Sequence, residues 1–286
     1  MSGALRLAAC AALAAAAGCA SQPPAPPAKR QQAIEANGKA TVLFQRGDYA
    51  GAIGEYGRAL EIERSIENED GVAANLINLS ITYQRAGERD NARSAIAEIL
   101  DSPAMRFPQP RIAEAALRSA ILLAEERKTE AAAKTLERSR AACARGCALG
   151  GKIDNVEAQL ALLDGKHDAA KAAAQRALSA NRSRGDREEI ANSLRLLGAA
   201  TLESGRPAEV EALAREALEI DKQLAVPAKI FRDLVLLGRA ARARGQAEDA
   251  AQYLGRALVV ARAAHDDVAV GEVTSLLAEA PASSGR

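Results

Sequence analysis

The chain has 286 residues, and its 38 Lys and Arg nearly cancel its 37 Asp and Glu, leaving a formal charge of +1. It contains 69 Ala and 31 Leu, no Trp, and only seven Phe and Tyr together. Ala and Leu are the strong helix formers, so an all-α fold is expected and β-rich or α/β cores are excluded. Base-stacking nucleic-acid sites and aromatic-lined ligand cages need rings that are missing. A balanced charge steers neither nucleic acid nor an anionic membrane.

The elements follow in chain order. Met1 to Gly18 carries one charge, Arg6, ahead of an apolar run from Leu7 to Ala17. Such a run suits a signal-peptide core and is too short to span a bilayer. We expect residues 1–18 to be a signal peptide. Ala16-Ala17-Gly18-Cys19 resembles a bacterial lipobox, although Ala16 stands where Leu is usual. The resemblance implies acylation of Cys19 and cleavage before it; the rival reading is a plain secretory peptide with Cys19 incidental. Ala20 in place of Asp favours the outer membrane over inner-membrane retention. Residues 19–32 hold four prolines and read as an extended tether.

From residue 33 the chain repeats. Turn signals centre on Gly47, Gly87, Arg127, Gly165, Gly205 and Gly245, spaced 40, 40, 38, 40 and 40. Each glycine suits the left-handed residue that ends a helix. Six repeats are expected, at 33–72, 73–112, 113–150, 151–190, 191–230 and 231–264. Three columns of small residues accompany the turns. Ala40, Ser80, Ala120, Ala158, Gly198 and Gly238 precede them; Ala52, Ala92, Ala132, Ala170, Val210 and Ala250 follow, and then Ala59, Ile99, Ser139, Ala177, Ala217 and Ala257. Small columns mark where paired helices approach closely. Repeat 3 has Arg127 in place of the turn glycine, and repeat 4 carries its apolar set early and is short of large side chains. Three prolines within 101–110 mark a long loop or a hinge; the kept phase favours the loop. Residues 265–280 read as a capping helix, which a solenoid needs, and 281–286 as a frayed tail.

This pattern resembles the tetratricopeptide repeat. The motif is carried by Leu197-Gly198, Leu237-Gly238, Leu79 with Tyr83, and Gly47-Asp48-Tyr49 followed by Ala52 and Tyr56. The resemblance covers about residues 33–264 and implies a right-handed α-solenoid whose first helices line a peptide-binding groove. The groove positions it designates include Asn37, Asn78, Arg118, Asn155, Asn192, Arg195, Arg232, Arg239 and Arg242. The Asn amides can hold a peptide backbone. The C-terminal Arg set either binds ligand carboxylates or pairs with neighbouring acids such as Glu203 and Asp233.

Chemistry is sparse. No nucleophile elbow, phosphate loop or paired-His motif is present, and the two His residues are isolated. Neither a metal, a cofactor nor nucleic acid is expected. Cys143 and Cys147 flank Gly146 at the end of a helix; they form a disulfide in an oxidising compartment or remain free thiols. The combined expectation is a non-enzymatic, lipid-anchored adaptor at the periplasmic side of the outer membrane. It would bind a protein or peptide in pilus, secretion or envelope assembly. The alternatives are a cytoplasmic signal-sensing repeat protein and an envelope enzyme.

Overall fold

The computed structural model describes residues 27–102, 105–143 and 147–279. The expected signal peptide, Cys19 and the expected C-terminal tail lie outside them. Among the described residues there are thirteen α-helices and no strand. Six antiparallel pairs follow one another: α1 Ala28–Gln45 with α2 Tyr49–Ser65, α3 Glu69–Arg85 with α4 Arg89–Asp101, and α5 Gln109–Glu125 with α6 Thr129–Ala142. Then come α7 Gly150–Leu163 with α8 His167–Arg184, α9 Arg187–Glu203 with α10 Val210–Gln223, and α11 Pro227–Ala243 with α12 Ala247–Ala263. The last helix, α13 Asp267–Ala278, has no partner after it. Each pair packs on the next, and the first helices of successive pairs also touch (α3 with α5, α5 with α7, α7 with α9, α9 with α11). These first helices form the inner layer of an α-solenoid.

The tether reading overran by five residues, because α1 begins at Ala28 rather than after Gln32. Pro27 is the last residue that must stay extended (ψ 146°), and everything beyond it is helix-compatible. The small columns pack as their composition requires. All eighteen positions are buried, fourteen of the sixteen that carry a Cβ to complete exclusion. At Gly238 the approach is tightest: an added Cβ would lie 2.7 Å from Leu254 Cγ. Larger groups such as Tyr56, Ile96, Leu136 and Leu254 fill the space between columns.

Turn chemistry repeats as strictly as packing does. Between the two helices of every pair one residue is left-handed: Gly47, Gly87, Gly165, Gly205 and Gly245 at φ 70° to 82°, and Arg127 at 57°. A second left-handed series joins one pair to the next, at Glu67, Gly185, Ala225 and His265. Two further junctions are described only in part. Between α4 and α5 the chain runs through the proline segment, with Phe107 buried against the core of the first two pairs. Between α6 and α7 it runs through the cysteines. Both flank the third pair, and both pack more sparsely than the other junctions. Asp48, Asp186 and Asp266 cap helix N-termini by accepting from Gly51, Glu189 and Ala269 amides.

Candidate functional site

The inner layer offers one continuous surface, so the designated groove residues are judged by what their side chains touch there. Four of the nine are engaged between neighbouring inner helices. Asn37 Nδ2 donates to Asn75 Oδ1 at 2.9 Å. Asn155 donates to Glu189 Oε2 at 2.8 Å and accepts from Ser193 Oγ at 2.8 Å. Arg195 Nε donates to Asp233 Oδ1 at 2.6 Å, and its terminal nitrogen binds Asp221. Arg118 donates to the Ser80 carbonyl at 3.3 Å and to Gln84. Asn37–Asn75, Asn155–Ser193 and Arg195–Asp233 occupy the same two columns of the repeat, ten residues before one turn and twelve before the next. Ile77 with Ala115 and Leu117 with Ile153 take those columns at the junctions around the third pair, where no polar pair forms.

Three more residues are tied by weaker, wetter contacts. Asn192 donates to Glu189 at 3.2 Å and accepts from Arg195 at 3.1 Å. Arg239 pairs with Glu203 at 2.8 Å, both about two-fifths exposed. Arg242 reaches the Leu276 carbonyl at 3.4 Å and Glu279 at 3.2 Å, tying α11 to α13. The Arg set therefore pairs largely with acids of its own chain, among them Glu203 and Asp233.

Two remain available. Asn78 is half-buried and Arg232 exposed, and neither side chain has a hydrogen-bond partner among the described residues. Gln159, on α7, shares that state. Half-buried aliphatic groups lie on the same inner helices: Ile81, Ile121, Leu162 and Leu202. The inner helices thus carry half-buried aliphatic groups together with polar groups that can donate and accept. Arg118 adds a guanidinium whose pKa burial lowers to about 10, with the Glu125 charge opposing the shift. Composition alone could not separate these residues, because the same repeat position serves a neighbour at one junction and stands free at another.

Cys143 and Cys147 are paired as a disulfide, their Cα atoms 5.7 Å apart. The bond lies at the junction between α6 and α7. Nearby, Arg140 and Arg176 flank Asp154 and Glu157 in a surface cluster. Among the described residues no three His, Cys, Asp or Glu side chains gather closely enough to hold a metal ion. No helix there is long and apolar enough to cross a membrane.

The tetratricopeptide repeat model matches residues 32–102 and 152–223. The unmatched stretch between them holds the third pair and both irregular junctions. No curated protein matches the chain. Solved structures do. Aspartyl phosphate phosphatase F from Bacillus subtilis aligns with TM-score 0.58 at 9% identity, over 88% of this chain and 80% of that one. The pilF protein of Pseudomonas aeruginosa aligns at 0.54 and 17%, over 87% and 100%. BtubC from P. vanneervenii aligns at 0.53 and 15%, over 84% and 94%. At these identities the likeness shows the fold alone.

Proposed function

The chain belongs to the tetratricopeptide repeat family, and from that premise we propose that it is a protein-interaction scaffold of the bacterial cell envelope, held at the outer membrane by lipid on Cys19. The observation that carries the binding part is the inner face. Asn78, Gln159 and Arg232 present unused hydrogen-bonding groups on the inner helices, whose half-buried aliphatic residues include Ile81, Ile121, Leu162 and Leu202. An extended polar peptide fits this face, since amides can hold its backbone and aliphatic groups its side chains. The proposed process is assembly of pili, secretion machinery or the cell wall, with no catalytic step.

Export is supported by the Leu7–Ala17 apolar run, the small residues before Cys19 and the prolines after it. The Cys143–Cys147 pair accords with an oxidising compartment. A radiolabelled fatty acid is expected to label the wild-type protein and not Cys19→Ala, which should leave the membrane fraction. An unlabelled wild type would return the protein to the cytoplasmic sensing class. For the groove, a photocrosslinking residue at Gln159 should capture a partner in the envelope, whereas one at the exposed Val259 of α12 should not. Equal capture at both sites removes the inner face from the proposal.

A further inference from the structure

Arg195, Asp221 and Asp233 come from three different helices, α9, α10 and α11, and meet where the fifth pair joins the sixth. Both Asp side chains are wholly excluded from solvent, and Arg195 is 15% exposed. The guanidinium satisfies one oxygen of each carboxylate. The other two, Asp221 Oδ1 and Asp233 Oδ2, are buried without a hydrogen-bond partner. Two ionised carboxylates on one guanidinium would leave a net negative charge in a site that water does not reach. They would also leave two acceptors unsatisfied, each costing about 1–3 kcal/mol. A single proton placed between the orphaned oxygens removes both faults: Asp233 becomes the donor and Asp221 the acceptor.

We propose that Asp221 and Asp233 share a proton, and that the growing tendency to lose it as pH rises toward and through neutral loosens the sixth pair from the fifth. The charged groups facing Asp233 are Asp221 on α10 and Arg195 on α9. Burial and Asp221 together outweigh Arg195 and push the Asp233 carboxyl up to about 7. In the opened junction Asp233 is hydrated and titrates near its ordinary value. The closed junction therefore binds the extra proton between about pH 4 and 7, and closure weakens as pH rises through that window. Above it the weakening levels off. What loosens is α11, which carries Arg232 and Arg239 on the inner face. The device thus couples proton concentration to the shape of the C-terminal part of that face.

Hydrogen exchange of the full chain tests this. After correction for the intrinsic rate, opening measured on peptides from 227–243 should rise about tenfold between pH 6 and 8.5, with peptides from 69–85 as a flat control. Asp233→Asn keeps a donor toward Asp221 and has no proton to lose, so its exchange should be flat across the same range. A wild type as flat as the variant overturns the proposal. So does an equal rise in both, which would place the titrating group elsewhere. Should the variant fold poorly, carbon-13 NMR of the wild-type side-chain carboxyls decides. A buried Asp titrating near 7 supports the shared proton, and all carboxyls titrating near 4 refute it.

Discussion

Gly238 and Arg127 show how little tolerance single positions have. A Cβ at 238 would press on the branch carbon of Leu254, which sits in a filled core. Gly238→Ala should therefore destabilise by about 1 kcal/mol. Overpacking costs about 1–3 kcal/mol, and better helix propensity returns about 1. At Arg127 the sign reverses. A side chain held at φ 57° is strained by roughly 1 kcal/mol, so Arg127→Gly should raise the urea midpoint slightly. Both readings follow from columns visible in the sequence, because smallness and turn spacing are local properties. The roles of Asn37, Asn155 and Arg195 were not visible in the same way. Whether a polar residue faces solvent or the next helix depends on what stands 38 residues later. Asn75, Ser193 and Asp233 supply partners at three junctions, while Ala115 and Ile153 do not. Arg195→Ala should accordingly behave as a stability mutation. Leaving Asp221 and Asp233 buried without their counter-ion costs about 3–5 kcal/mol, read as a lowered unfolding midpoint.

Among the elements, the third helical pair is set apart on both sides. Its junctions pack more sparsely than the others, and one is closed by a disulfide. The 38-residue spacing in the sequence already marked this place, and α7 is short, with 14 residues where α5 and α9 have 17. A contact the sequence does not display lies here too: Gly151, in the first turn of α7, packs directly against the buried Asn181, whose Oδ1 would sit 1.9 Å from an added Cβ. The disulfide has a clean signature. Arg145 lies between the cysteines, so trypsin should release one cross-linked peptide pair from the unreduced protein and two separate peptides after reduction. Separate peptides without reductant would show free thiols.

Over the whole molecule the solenoid reading rests on a fixed repeat, and the repeat is what the sequence exposes best. Its far end follows the rule that a last repeat must be covered. α13 buries Ala269 and Val273 on the sixth pair and receives Arg242 at its C-terminal turn. A chain ended after Ala264 should lose hydrogen-exchange protection in α11 and α12 while α1 to α4 keep theirs, since each pair is supported only by its neighbours. Uniform loss along the chain would mean one cooperative block. The polar pairs of the inner layer bear on how such a chain finds its own order. Alanine columns are nearly interchangeable, so a collapsing chain can seat one pair against the wrong successor at little cost in packing. Asn37–Asn75, Asn155–Ser193 and Arg195–Asp233 differ in chemistry, and the same two columns are apolar at the junctions around the third pair. A frame-shifted stack would set Arg195 against a hydrocarbon or leave Asp233 facing an amide, and either error buries an uncompensated charge. These few contacts act as addresses, telling each repeat which neighbour is its own.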